Sequence, residues 1–276
     1  MTSPALQDIV ALLGWPAAGN PAQYLFERAV EAAGVDCRFL SVEVAPERLA
    51  EALAGAAAMG FRGCLLAGPL RAAAPPLVAA TSPAAAFAGA ASLLDRQTDG
   101  FTAHMTEGRG AVQALRGHVD PAGARVLVLG AAAEGRAVAL ELALAGAAAV
   151  LVGDRDATRA AALVEALGSL GAAPATAHEC GTTVDIPADV DIVVVSMPDG
   201  LPEPAAFTGM RADLVVAEMP LVVQPSPLAA VVAAHGGCLV DGLEIHAART
   251  AIDFQTLTGV ATDPDMLRDA LDEFLS

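Results

Sequence analysis

The apolar positions in the first part of the chain follow two alternating patterns, short runs and a repeat of about 3.6 residues. The stretches QDIVALLGWP, CRFLSVEV and RGCLLAG predict strands. Between them, PAQYLFERAVEAAGVD predicts a helix ending at Gly34, and APERLAEALAGAAAMGF predicts a helix opened by Pro46. One face of the first helix is expected to carry Tyr24, Leu25, Ala29, Ala32 and Ala33. The order β-α-β-α-β is typical of a parallel sheet.

A second series of strands and helices begins at Ala124. Its predicted strands are ARVLVLG, AAAVLVGD, DVDIVVVSMP, ADLVVAEMP and GGCLVDG, with helices after the first two. Residues 76–95 are predicted as helix and loop broken by Ala and Pro, and TEGRGAVQALRGH as a connecting helix.

The two series together predict an α/β protein with two domains. We expect a parallel α/β domain of the substrate-binding type at about residues 1–102 and a Rossmann-like dinucleotide-binding domain at about 103–238. Residues 239–276 are expected to form C-terminal helices that pack back on the first domain.

Composition narrows the class of protein. The chain of 276 residues is 55% apolar but only 4% aromatic, so its core must consist of Ala, Val and Leu. No apolar run reaches the roughly 18 residues of a membrane span, and the first twenty residues lack the pattern of a secretory signal. We therefore expect a cytoplasmic protein without membrane association.

The formal net charge of −17 argues against a nucleic-acid surface, because phosphate backbones are bound by clustered Arg and Lys side chains. The expected partner is a small-molecule substrate, and the oligomeric state stays open. The four cysteines are scattered without a CxxC pair or a histidine at ligand spacing, which indicates reduced thiols and no metal site. The chain contains no lysine, so the commonest amine acid–base group is missing.

The stretch VLVLGAAAEGRA has the pattern of the first turn of a dinucleotide-binding domain. Gly130 follows the apolar run and would make the tight turn, and Asp154 comes 24 residues later, at a spacing suited to the ribose hydroxyls. The usual second glycine is Ala132, whose methyl would push phosphates outward, and Glu134 adds an unfavourable charge. The turn predicts the fold and leaves tight cofactor binding open. Its candidate cofactor-binding residues are Gly130, Ala131, Ala132 and Ala133.

Five longer segments point to one family: GNPAQYLFERAVEAAGVDCRFLSVEVAPERLAEAL, AMGFRGCLLAGPLR, GAASLLDRQTDGFTAHMTEGRG, VLVLGAAAEGRAVALELALAGA and CLVDGLEIHAARTAIDFQTLTG. Through them the chain resembles the shikimate dehydrogenase family over nearly its whole length. The resemblance implies that the first domain binds shikimate, that the second binds NADP, and that a hydride passes between them.

The resemblance also shows which residues stand at the family's substrate positions. In the family's Asn-Val-Thr-x-Pro-x-Lys pattern, Ala67 replaces the hydroxyl donor and Arg71 the catalytic lysine. Ser92 replaces the asparagine that grips substrate hydroxyls, Glu107 the aspartate of the Asn-Thr-Asp-Gly motif, and Arg249 the substrate-binding glutamine. The implied catalytic residues are therefore Arg71 and Glu107, and the implied substrate-binding residues are Ala67, Ser92 and Arg249.

At the cofactor end, the family's Asn-Arg-Thr is replaced by Asp154, Arg155 and Asp156. Two carboxylates around one arginine would repel a ribose 2′-phosphate, so NAD is expected in preference to NADP. The family's Asn-Ala-Thr turn ends in Met197, and the Asp-Gly-Leu stretch near the C-terminus is kept. The resemblance therefore adds four cofactor-binding candidates: Asp154, Arg155, Met197 and Gly242.

These substitutions leave two hypotheses open. A guanidinium stays protonated below a pKa of about 12, so Arg71 cannot exchange a proton with substrate. Glu107 could act as the base while Arg71 and Arg249 bind an anionic substrate. Alternatively, Glu107 could form a structural salt bridge with Arg71. His104 and His246 are further candidates for proton exchange. The first hypothesis is an NAD(P)-dependent oxidoreductase of a small hydroxy acid other than shikimate. The alternative is a non-catalytic homologue with a binding or regulatory role.

Overall fold

The computed structural model describes residues 7–197, 207–222 and 225–276, and the chain forms two compact units. The first unit contains the described residues up to Thr106 together with Ala247–Ser276, and the second contains the described residues of Glu107–His246. The limits expected from the sequence were near residues 102 and 238. In the part of the chain that is described, no helix is both long and apolar enough to cross a membrane.

Strands and helices alternate along most of the described chain. The strands are β1 (Asp8–Gly14), β2 (Cys37–Glu43), β3 (Gly63–Leu66), β4 (Ala80–Thr81), β5 (Leu93–Gln97), β6 (Gly100–His104), β7 (Arg125–Leu129), β8 (Ala149–Gly153), β9 (Ala175–His178), β10 (Val184–Asp185), β11 (Ile192–Val195), β12 (Phe207–Thr208), β13 (Val215–Glu218) and β14 (Cys238–Val240). The α-helices are α1 (Ala22–Ala33), α2 (Leu49–Ala58), α3 (Leu70–Ala73), α4 (Pro83–Ala88), α5 (Glu107–Leu115), α6 (Ala133–Leu144), α7 (Ala157–Leu170), α8 (Pro227–Ala234), α9 (Gly242–Thr258) and α10 (Pro264–Leu275).

The sheet of the first unit has the order β2-β1-β3-β5-β6-β4. Strands β1, β2 and β3 are parallel, which confirms the β-α-β-α-β pattern, whereas β5 runs antiparallel to both β3 and β6. The hairpin of β5 and β6 was not expected from the sequence. Its first strand buries the charged Asp95, which is paired with Arg62 at 2.9 Å, and a charge at that position conceals the strand pattern.

Aromatic packing joins the C-terminal helix α9 to the core of the first unit. Phe26 of α1 lies 4.7 Å from Phe39 of β2 and 5.7 Å from Phe254 of α9, measured between ring centroids. α1 ends at Gly34, as expected, with φ of 64°. The expected face was partly wrong, because Ala32 is exposed and the buried residues of α1 include Phe26.

The second unit contains a six-stranded sheet in the order β14-β13-β11-β7-β8-β9, in which every described pair of neighbours is parallel. The chain proceeds from β7 through β8 to β9 on one side, and from β11 through β13 to β14 on the other. The strand order therefore reverses between β7 and β11. In open α/β sheets, ligands bind at the carboxyl ends of the strands at this point. The fold confirms the predicted α/β class with a Rossmann-like second domain.

Gly63→Ala tests how tightly β3 is enclosed. A Cβ at Gly63 would lie 2.3 Å from Leu257 Cδ2 and 2.5 Å from the Leu94 carbonyl oxygen. Because that oxygen belongs to a paired strand, we expect the free energy of unfolding to fall by about 1–3 kcal/mol. The control is Gly55→Ala, where the new Cβ would lie 3.9 Å from Met59 Cε at ordinary contact distance, so this substitution should stabilise α2 by about 0.5–1 kcal/mol. Chemical denaturation measures both, and wild-type stability of G63A would contradict this packing.

Candidate functional site

The turn after β7 leaves no room for side chains at two glycines. Gly130 has φ of 107°, and a Cβ there would lie 2.4 Å from the Ser196 carbonyl oxygen. A Cβ at Gly135 would lie 1.8 Å from the Gly130 carbonyl oxygen. Ala132 instead has φ of −74°, which any residue adopts, so its methyl causes no backbone strain. The first and third glycines of the fingerprint are therefore required by packing, and the second position is not.

Ala132 is also the N-cap residue of α6. Its methyl group cannot accept a hydrogen bond, so it does not cap the first amide groups of the helix. The N-terminus of a helix attracts anions through these amides and through the helix dipole. The neighbouring candidate Ala133 is the first residue of α6, and both alanines are partly exposed. This end of α6 therefore has the backbone chemistry that a pyrophosphate needs.

The carboxylate of Asp154 ties the end of β8 to this turn. Its Oδ2 accepts a hydrogen bond from the Ala131 amide at 2.7 Å, and its Oδ1 accepts one from the Asp156 amide at 2.8 Å. Arg159 Nη2 donates to the same Oδ1 at 2.8 Å. Desolvation raises the pKa of the Asp154 carboxyl, but these hydrogen bonds and the Arg159 charge outweigh it, so the pKa lies below its ordinary value.

The ribose of a dinucleotide was expected to bind beside the N-terminus of α7. Asp156 caps this helix, because its Oδ1 accepts a hydrogen bond from the Thr158 amide at 2.9 Å. Arg155 is exposed beside it. Arg159 lies 3.8 Å from Asp156 Oδ2 in addition to its contact with Asp154. Arg159 was not among the predicted site residues, although its spacing of three residues from an N-cap aspartate is a signal of such an ion pair.

Ser196, at the end of β11, is a polar residue that the sequence analysis did not select. Its Oγ is buried and has no hydrogen-bond partner among residues 7–197, 207–222 and 225–276. A Cβ at Gly135 would lie 3.6 Å from this Oγ, so the hydroxyl lies beside the turn. The side chain of Met197 packs in the apolar core of the second unit with β7 and β11 residues.

Gly242, the remaining cofactor candidate, is enclosed by the end of β13. A Cβ there would lie 2.2 Å from the Pro220 carbonyl oxygen and 3.3 Å from that of Glu218. The Glu218 side chain is itself buried. Burial raises the pKa of its carboxyl, a hydrogen bond with Ser226 lowers it, and the Asp241 charge raises it further, with a net increase. The geometry thus gives Gly242 a packing role.

Backbone hydrogen bonds in the first unit bring four candidates to one edge of the sheet. The Ala91 amide donates to the Arg71 carbonyl oxygen at 2.8 Å. The Ser92 amide donates to the His104 carbonyl oxygen at 2.8 Å, and the Leu66 amide donates to that of Ser92 at 2.9 Å. Since Ala67 directly follows Leu66, the structure brings together Ala67, Arg71, Ser92 and His104.

The hydroxyl of Ser92 is engaged within the first unit. It accepts a hydrogen bond from the Thr106 amide at 3.1 Å and lies 3.1 Å from Thr106 Oγ1. Ser92 and Thr106 are both buried. The hydroxyl therefore fixes the end of the β6 segment, whereas the sequence analysis assigned it to substrate.

Trp15, which was not among the predicted site residues, lies in a loop at this edge. A Cβ at Gly68, which has φ of 58°, would lie 2.9 Å from the Trp15 carbonyl oxygen. The loops after β1 and β3 are therefore in contact. The Trp15 side chain, in the first of these loops, is 46% exposed.

Arg249 and Glu107 occupy different elements. Arg249 lies in α9, with its Nε 3.8 Å from Asp253 Oδ2. Glu107 is the buried first residue of α5 in the second unit. The adjacent Gly108 fixes it there, because a Cβ at Gly108 would lie 2.3 Å from the Ala137 carbonyl oxygen of α6.

Within the described residues, no group of three His, Cys, Asp or Glu side chains is arranged to hold a metal ion.

Similarity to known proteins extends over both units. No family model matches the chain. A relative, shikimate dehydrogenase (NADP(+)) of Geobacter metallireducens, is 31% identical over 94% of this chain and 94% of its own. The ligand-free structure of 5-ketofructose reductase of a Gluconobacter species is 26% identical with a TM-score of 0.91, covering 97% of this chain and 99% of that chain. Shikimate 5-dehydrogenase of Thermus thermophilus, solved with shikimate, is 26% identical with a TM-score of 0.81, covering 98% and 99%.

Asp154→Asn tests the tie between β8 and the turn. Because the pKa of Asp154 is lowered by folding, its carboxylate stabilises the protein above the ordinary pKa of 3.8, and this contribution is lost as the pH falls through the lowered pKa. We expect D154N to reduce the free energy of unfolding by about 1.5–3 kcal/mol near neutral pH, with a smaller difference in acid. Denaturation across pH measures both effects.

The control for this variant is Asp213→Asn, which breaks the pair of Asp213 with Arg211 at 2.9 Å. Because the Asp213 side chain is 79% exposed, its loss should cost less than about 1 kcal/mol. A D154N protein no less stable than D213N at neutral pH would refute the structural role of Asp154.

Proposed function

The chain belongs to the shikimate dehydrogenase family, and we propose that it is a dehydrogenase that transfers a hydride between a nicotinamide dinucleotide and a small hydroxy acid other than shikimate. The observation that carries the proposal is the turn after β7, where Gly130, Gly135 and Asp154 hold the N-terminus of α6 at the carboxyl edge of a parallel sheet. A helix N-terminus held at this edge of an open α/β sheet is the usual binding site for a dinucleotide's pyrophosphate, which supports the proposal.

The residues of the second unit fit a dinucleotide. The first amides of α6, from Ala132 onwards, would donate to the pyrophosphate, and the buried Ser196 hydroxyl beside them would supply another hydrogen bond. A bound nicotinamide ring supplies the chemistry of hydride transfer, which no side chain can provide. The protein's contribution is to orient that ring and exclude water.

We infer a preference for NAD over NADP from the charge at α7. The Asp156 carboxylate already occupies the helix N-terminus, where a 2′-phosphate would otherwise bind, and it accepts the Thr158 amide. The guanidinium of Arg159 is directed to Asp154 and Asp156. A second anion at this point would be repelled by Asp156 and would compete with it for the same donors.

The first unit supports a substrate with fewer hydroxyl groups to recognise than shikimate. Ala67 has no hydrogen-bonding side chain, and the Ser92 hydroxyl is engaged with Thr106. Each missing hydrogen bond to a substrate hydroxyl costs about 0.5–1.5 kcal/mol. Arg71, on the same edge, would bind a carboxylate through its guanidinium, and Arg249 of the same unit would assist it. The proposed substrate is therefore anionic.

Proton exchange requires a group other than Arg71, which stays protonated. We assign this role to Glu107, the carboxylate at the position of the family's aspartate. A carboxylate can accept the hydroxyl proton as hydride leaves and return it in the reverse direction. Arg71 then acts only by binding and orienting the substrate.

A panel of assays tests the function directly. We expect NAD-dependent oxidation of malate or lactate, with shikimate and the more hydroxylated quinate slower by about 100-fold because two hydrogen bonds are lost. 5-Ketofructose, from which the similar Gluconobacter reductase takes its name, is tested with the reduced cofactor as an uncharged substrate. Absorbance of the reduced nicotinamide gives the rates, and calorimetry gives cofactor binding. Glu107→Gln should lower kcat by about 100-fold or more.

The matched control is His104→Gln, which removes an imidazole at the edge that holds Arg71 and Ser92. Near-normal kcat in H104Q with loss in E107Q supports the assignment, and the reverse pattern assigns proton exchange to His104. Ordinary turnover of shikimate would refute the altered substrate. Absence of turnover and of binding by either dinucleotide would instead support a non-catalytic homologue.

Asp156→Ser tests the cofactor preference. Serine retains an N-cap oxygen but removes the negative charge, so the ratio of the two dissociation constants should move about tenfold towards NADP. Asp120→Ser is the control, because Asp120 also accepts the amide two residues later, from Ala122 at 3.0 Å, in the turn before β7. An unchanged ratio in D156S, measured by titration, would contradict the inferred preference.

A further inference from the structure

Three chemically complementary side chains meet on the second unit. Cys238 begins β14, His118 follows α5, and Glu244 lies in the first turn of α9. The Cys238 Sγ is 3.5 Å from His118 Nδ1. The Glu244 carboxylate oxygens lie 2.9 and 3.1 Å from His118 Nε2. One imidazole thus bridges a thiol and a carboxylate.

The carboxylate determines which nitrogen of the imidazole carries the proton. A carboxylate accepts hydrogen bonds and donates none, so Nε2 must carry a hydrogen that it donates to Glu244. In neutral imidazole the other nitrogen is then an acceptor. The lone pair of His118 Nδ1 is therefore directed at the thiol of Cys238, which is the arrangement of a nucleophile, a base and a group that orients the base.

The thiol of this cluster lies at the opposite edge of the sheet from the dinucleotide turn. Cys238 pairs with Val215, the first residue of β13, so it stands at the amino edge. Strands of about four residues separate that edge from the carboxyl edge by about 10 Å. The cluster is accessible, since the His118 and Glu244 side chains are 31% and 30% exposed. Cys238 is partly exposed, whereas Cys37 and Cys64 are buried.

The environment of the thiol keeps it protonated at rest. Burial raises the pKa of Cys238, and the Glu244 carboxylate raises it further. Such a thiol reacts slowly unless a base removes its proton during attack, because the thiolate is the nucleophile. His118 Nδ1 is placed to do so. The pKa of the partly exposed Cys180 thiol is also raised, by burial and by the Asp154 charge, so Cys180 serves as the comparison thiol.

We propose that Cys238 is a nucleophilic thiol, with His118 as its base and Glu244 as the positioning residue, that forms mixed disulfides with low-molecular-weight disulfides. In the first step Sγ bonds to one sulfur of the disulfide, the S–S bond breaks, and the thiol proton moves to His118 Nδ1. The departing thiolate then takes that proton. The small disulfide is the oxidant: one of its sulfurs enters the mixed disulfide and the other leaves as a thiol.

The probe is 4,4′-dithiodipyridine, a small disulfide whose released thiopyridone absorbs light. We expect one fast phase from wild-type protein, which peptide mapping assigns to Cys238 and which is absent in Cys238→Ser. His118→Gln should slow this phase by about 100-fold, the usual contribution of a general base. Glu244→Gln should slow it by about tenfold, because an amide no longer enforces the Nε2–H form.

The control is His235→Gln, which removes another imidazole three residues from Cys238. Its Nδ1 contacts the Val231 carbonyl oxygen at 2.9 Å, so the fast phase should keep its wild-type rate. Thermal melts check that H118Q and E244Q remain folded. A wild-type rate in H118Q, or labelling of Cys180 before Cys238, would overturn the proposal. All of these measurements are independent of dehydrogenase activity.

Discussion

The close backbone contact between the end of β7 and the start of α6 is the constraint on which the cofactor edge of the second unit depends. The Gly130 carbonyl oxygen and the Gly135 Cα are so close that a Cβ would lie 1.8 Å from the oxygen. The Asp154–Ala131 hydrogen bond of 2.7 Å holds the turn from the side of β8. Because this contact places the N-terminus of α6 at the strand ends, the two glycines remain while Ala132, with ordinary backbone angles, is free to vary.

A comparable division between scaffold and chemistry applies in the first unit. The hydrogen bonds that bring Arg71, Ala91, Ser92 and His104 together use main-chain atoms. Side chains at those positions can therefore change without altering the edge of the sheet. A chain can therefore retain the family's fold with Ala67 and Arg71 at the positions where the resemblance places a hydroxyl and an amine.

The absence of lysine shapes the electrostatics of both units. Arginine cannot release its proton near neutral pH, so proton exchange falls to carboxylates and imidazoles. Several arginines contact buried or half-buried acids instead, as in the pairs of Arg62 with Asp95 and Arg159 with Asp154. These pairs fix strand and turn geometry. The cluster of Cys238, His118 and Glu244 shows the same reliance on imidazole in a different part of the second unit.

The sequence by itself determined the features that depend on neighbours within a few residues. Runs of Val and Leu, helical repeats and the spacing from Gly130 to Asp154 were sufficient for the α/β class and the dinucleotide turn. Tertiary structure alone decided that β5 buries Asp95 against Arg62, 33 residues away, and that Phe26 rather than Ala32 enters the core. It also joined His118 to Cys238 and Glu244, 120 and 126 residues apart. Such contacts depend on which elements become neighbours in the folded chain, and no local pattern of residues encodes that.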